Sequence, residues 1–87
     1  MAIADIQQKL LDVLGELHGS LGDNDYAEAM EATKIGEPGV ALEVICQQLF
    51  EYETRIQKRI YVRLEAIGQT MNMPDSTWKI LEPLVTD

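Results

Sequence analysis

Apolar residues return every three or four positions through most of this chain, and nowhere do they alternate with polar ones long enough to make a half-buried strand. At 100° per residue, Ile3, Ile6, Leu10, Val13, Leu14 and Leu17 fall on one face of a first helix, with Asp5, Gln8, Lys9, Asp12 and Glu16 opposite. A helical period forces the chain to bury stripes rather than sheet faces. This predicts an all-α fold, a compact bundle of four to five short helices, in a single helical domain spanning residues 1–87. A length of 87 residues leaves room for one core, and a hydrophobic fraction of 46% is enough to fill it.

Turn signals divide the chain. "HGSLGDND" breaks the first helix at Gly19 and Gly22, and Asp23 or Asn24 can cap the helix that follows. That second helix, "DYAEAMEATKI", turns Tyr26, Ala29, Met30 and Thr33 inward and Glu28 and Glu31 outward. Gly36 ends it, and Pro38 suits the first turn of a third helix, where a missing N–H is no loss. The third helix places Leu42, Ile45, Cys46 and Leu49 inside, Ala41, Phe50 and Tyr52 at the edges, and Val40, Glu43, Val44, Gln47 and Glu51 outside. A fourth, "IQKRIYVRLEAIGQTM", aligns Ile56, Ile60, Leu64, Ile67 and Met71. Pro74 then breaks the chain. Asp75 or Ser76 can cap a last short helix that carries Trp78 and Leu81 and extends toward Leu84.

Charge is the second constraint. Seven Lys and Arg against fifteen Asp and Glu give a net of −8. Residues 16–53 hold Glu16, Asp23, Asp25, Glu28, Glu31, Glu37, Glu43, Glu51 and Glu53 against Lys34 alone, so the whole imbalance sits in the middle of the chain. Such a surface repels nucleic acid and anionic membranes and attracts a basic partner. Glu51 and Glu53 add a puzzle, because carboxylates at a helix C-terminus oppose the helix dipole. The N-terminal "MAIADIQQKLLDVLGEL" has no basic start and no uninterrupted apolar core, which predicts no signal peptide. No segment approaches the length of a membrane span. With one cysteine and therefore no internal disulfide, the expectation is a soluble cytoplasmic protein.

Chemistry is hard to assemble from these residues. One His and one Cys exclude Cys/His zinc spacings, and no phosphate-binding glycine loop occurs. "DNDYAE" begins like a calcium loop but carries Ala27 and Glu28 where Asp or Asn and then Gly are required. Acyl carrier proteins attach their prosthetic group to the Ser of a D-S-L motif. Asp75-Ser76-Thr77 is the nearest match, close to the C-terminus and with Thr in place of Leu. The expectation is a protein that is no enzyme and takes no cofactor and no metal.

Binding remains. Val44 stands among Glu43, Gln47 and Glu51, like a small interface centre with a polar rim, or else it packs against helix two. The acids Asp23, Asp25, Glu28 and Glu31 share a surface with Glu51 and Glu53 if helices two and three are antiparallel neighbours, and Tyr26 and Tyr52 lie within that region as aromatic anchors. The residues expected to meet a partner are therefore Asp23, Asp25, Tyr26, Glu28, Glu31, Glu43, Val44, Glu51, Tyr52 and Glu53. The basic cluster Arg55, Lys58, Arg59 and Arg63 is expected to bridge to neighbouring acids or to lie solvated.

One resemblance sharpens this. Ala41-Leu42-Glu43, Leu49, Phe50-Glu51-Tyr52-Glu53, Ile67-Gly68, Met71 and Trp78-Lys79-Ile80-Leu81, spread over roughly residues 20 to 85, resemble the MafI-type immunity proteins and related antidotes of contact-dependent growth-inhibition systems. The resemblance implies a cytosolic protein that binds and neutralises one cognate bacterial toxin domain, often a nuclease. It transfers no site pattern, so the residues above rest on charge placement. The rival expectation is a small acidic helical module with a basic partner that is no toxin. Position next to a toxin gene distinguishes the two.

Overall fold

The apolar stripe of the first helix becomes one wall of the core. In a computed structural model, which describes residues 3–86 with the side chain of Ile3 outside that description, α1 runs Ile3–Leu17. It buries Ile6, Leu10, Val13, Leu14 and Leu17. Each such side chain contributes about 1.5–3 kcal/mol on leaving water. The chain then turns through Leu21, itself buried, into α2 at Asp23–Lys34.

Helix α2 stops where Gly36 predicts. Gly36 takes φ of 84°, its N–H donates to the Thr33 carbonyl, and the N–H of Glu37 donates to the Ala32 carbonyl at 2.9 Å. This paired closure satisfies carbonyls that the helix end would otherwise orphan. It returns the chain at once into α3, Pro38–Glu51, with Pro38 in its first turn. Helices α2 and α3, joined by three residues, pack on one another more extensively than any other pair and form an antiparallel hairpin. Helix α3 contributes Ala41, Leu42, Ile45, Cys46 and Leu49 to the core.

The second half closes the bundle. Helix α4 spans Lys58–Thr70 and buries Ile60, Leu64 and Ile67; α5 spans Ser76–Lys79 and buries Trp78. A 3-10 turn follows at Glu82–Leu84. The architecture is the all-α bundle that the periodicity predicts, with five helices among the described residues. Its radius of gyration is 11.5 Å, against about 12 Å for a compact chain of this length. No helix among the described residues is long and apolar enough to cross a membrane.

Three local expectations need correction. The fourth helix begins at Lys58, because Ile56–Gln57 forms a short strand, β1, paired in parallel with β2, Val85–Thr86. Ile56 is buried all the same, so the stripe is right and the backbone differs. Two residues are too few for alternation to show. Second, neither Asp23 nor Asn24 caps α2: the cap position is Gly22, without a side-chain bond, and Asp23 and Asp25 lie inside the first turn. Third, the last helix is a single turn. Leu84 belongs instead to the 3-10 turn Glu82–Leu84, which has Pro83, a residue without an N–H, in its first positions.

An acidic helix face as the candidate functional site

The hairpin geometry sorts the acidic residues by the reason each is there. Asp23 and Asp25, in the first turn of α2, meet the positive end of its dipole and stabilise it by about 0.3–1 kcal/mol each. Their charge has a structural use without a partner. Glu16 has one too: Arg59 and Arg63, one turn apart on α4, both donate to its carboxylate, and these hydrogen bonds hold its pKa below the ordinary value. This bridge accounts for two of the four bases in the basic cluster, as expected. Lys79 pairs with Asp75 at 3.2 Å, which raises the lysine pKa.

Glu28, Glu31, Glu43, Glu51 and Glu53 have no such use. All five are exposed, and none forms an ion pair among the described residues. Glu51 closes α3 at the negative end of its dipole, and Glu53 lies just past it.

Two of these carboxylates converge. Glu28 from α2 and Glu43 from α3 line an open groove of about 510 Å³, together with Val44, Gln47, Gln48 and Ile80. Val44 is half-buried and packs on the core while lining the groove. On its other side Glu28 borders a second depression with Ala27, Glu31, Ala32 and the exposed Ile35. The acids of α2 thus run continuously onto α3.

Along α3 the outward positions recur at helical spacing. Val40, Val44, Gln47 and Glu51 form one line, and Glu43, Gln47 and Phe50 another. Val40 is 43% exposed and Phe50 44% exposed, so the face carries apolar area between its carboxylates. Phe50 did not stand out in the sequence, because periodicity places it at the edge of the buried stripe. The tyrosines differ in availability. Tyr26 is half-buried with its ring centroid 4.5 Å from that of His18, whereas Tyr52 is 67% exposed. The antiparallel hairpin brings the first turn of α2, with Asp23, Asp25 and Tyr26, to the same end as Glu51, Tyr52 and Glu53.

The remaining reactive groups are placed for packing. Cys46 is buried, and burial pushes its thiol up to about 12, far from the range of a working nucleophile. Among the described residues no three His, Cys, Asp or Glu side chains are grouped to hold a metal ion. What this surface can do is meet a cation-rich protein surface with negative charge at its rim and apolar side chains within it. Comparison with protein-family models, curated proteins and solved structures finds no match for this chain.

Proposed function

We propose that this protein is an immunity protein: a cytoplasmic antidote that binds a cognate bacterial toxin domain, a nuclease with a basic cleft, and covers that cleft with the outer face of the α2–α3 hairpin. The observation that carries this reading is the groove lined by Glu28, Glu43 and Val44, whose two carboxylates form no ion pair among the described residues. The sequence resemblance to immunity proteins supports the same role, and the net charge of −8 gives it a physical route.

A nuclease cleft is basic because its substrate is a polyanion. Uncompensated carboxylates on the hairpin steer the two proteins together from a distance, an attraction that salt screens over about 8 Å at physiological ionic strength. Once docked, Val44, Val40 and the exposed aromatics set the rate of dissociation, where most affinity differences arise. Neutralisation by occlusion needs no catalytic group in the antidote.

The test is co-purification of this protein with the C-terminal domain of the protein encoded immediately upstream. The expected result is a complex that forms at low salt and loosens as salt rises. Absence of a complex, with capture of some other basic protein instead, would replace this reading by that of a general acidic interaction module.

A further inference from the structure

The chain has five aromatic residues, and three of them are occupied within the fold. Trp78 is buried, Tyr26 lies against His18, and the hydroxyl of Tyr61 approaches Glu82 Oε2 at 3.5 Å. The other two, Phe50 and Tyr52, stand exposed within one turn of each other at the C-terminal tip of α3. The Tyr52 hydroxyl makes no hydrogen bond among the described residues, and its ring joins no aromatic pair. Glu51 and Glu53 flank it, neither in an ion pair. Exposed aromatic faces beside carboxylates that form no ion pair among the described residues suit a planar cation, which can stack on a ring and donate to a carboxylate at once.

The backbone adds support. Helices α2, α3 and α4 close with the same paired bonds, and the residue that enters the left-handed region is Gly36 in the first, Glu53 (φ 50°) in the second and Asn72 (φ 57°) in the third. Glycine and asparagine enter that region readily; glutamate does not. Glu53 is therefore disfavoured by its backbone and by the helix dipole, and it forms no ion pair among the described residues.

We propose that the α3 tip, Phe50 to Glu53, is a docking point for an arginine-bearing segment of a protein partner. A guanidinium stacks on an aromatic face while its N–H groups donate to carboxylates, a combination that the ammonium of lysine cannot reproduce. The tip continues the groove surface, since Phe50 lies three residues beyond Gln47 and seven beyond Glu43. The inference rests on the acidic face being an interface and adds which side chain that interface selects.

The test uses the full chain with hexa-arginine and hexa-lysine peptides at low salt, followed by backbone amide shifts. Hexa-arginine is expected to bind roughly two- to fivefold more tightly, the advantage a stacked guanidinium gives at an exposed site, with the largest shifts between Phe50 and Thr54. Tyr52→Leu should bring the ratio of the two affinities to about one, by weakening hexa-arginine more than hexa-lysine. Glu53→Gly, which relieves the backbone, should weaken hexa-arginine without loss of fold. Equal binding of both peptides, with shifts spread over α2 and the groove, would overturn the tip and leave the acidic face standing. Binding of neither peptide would overturn both.

Discussion

The six-membered ring of Trp78 lies directly on Gly68. A Cβ at residue 68 would fall well inside contact distance of ring carbons Cζ3 and Cε3, and 3.2 Å from Leu42 Cδ2. The absence of a side chain in the middle of α4 is what admits the indole that closes the core. Area, not polarity, places Trp78 there, since its indole N–H is buried without an acceptor among the described residues. Gly68→Ala should therefore destabilise the protein by about 1–3 kcal/mol despite alanine's better helix propensity. At about 4–8 °C per kcal/mol for a domain of this size, the loss is visible by thermal melting followed by Trp78 fluorescence. An unchanged or raised melting temperature would show that the indole can move aside freely.

The three left-handed helix ends make opposite predictions at equivalent positions. Glu53→Gly should stabilise the chain by about 0.5–1 kcal/mol, while Gly36→Ala should destabilise it by a similar amount. Urea midpoints of the two variants decide this. Destabilisation by Glu53→Gly would mean that the glutamate makes a compensating interaction within the fold.

Glu16 ties α1 to α4 and should do so only when ionised. Its pKa is held below the ordinary 4.5 by hydrogen bonds from Arg63 and Arg59. A lowered folded-state pKa means that the contribution is complete above the unfolded value and is lost as pH falls through the folded one. Glu16→Gln should thus be less stable than the parent at neutral pH. The gap between their urea midpoints should close as pH is taken below the ordinary carboxylate range. A gap that persists in strong acid would assign the bridge to neutral hydrogen bonding.

Side-chain period made the core legible before the backbone was. Apart from Ile3, whose side chain lies outside the described residues, and the half-buried Met71, the residues that 100° spacing selects on α1, α3 and α4 are buried, because burial is decided by which side of a helix a residue occupies. The stop at Gly36 was equally legible, since only the local backbone decides it. What stayed hidden depends on contacts distant in sequence. Ile56 pairs with Val85 across nearly thirty residues, and no local signal announces a ladder two residues long. Leu21 sits in a loop that composition marks as polar, and it is buried because α1 and α2 must turn over the core there.

The candidate site divides in the same way. Charge imbalance located the acidic segment, but not which acids serve the fold. Only the structure shows Asp23 and Asp25 in a first helical turn and Glu16 under two arginines, which leaves Glu28, Glu31, Glu37, Glu43, Glu51 and Glu53 without an ion pair among the described residues. Phe50 required the structure as well, since a residue at the edge of a buried stripe can fall on either side.

Charge reversal at the groove should act on the partner and spare the fold. In Glu28→Lys/Glu43→Lys both sites are exposed, so stability should change by no more than about 0.5 kcal/mol at each. Association with the cognate domain should slow by about tenfold or more at low salt, and by less as salt screens the difference. Stopped-flow association across a salt series reads this. Equal rates for the parent and the variant at low salt would remove the groove from the interface.

The most direct test of the immunity role is growth. The C-terminal domain encoded immediately upstream is expressed in a bacterial host alone, with this protein, and with the Glu28→Lys/Glu43→Lys variant. The expected result is arrest by the domain alone, full growth with the parent protein, and impaired rescue with the variant. Arrest undiminished by the parent protein, at levels where it is folded and abundant, would contradict it.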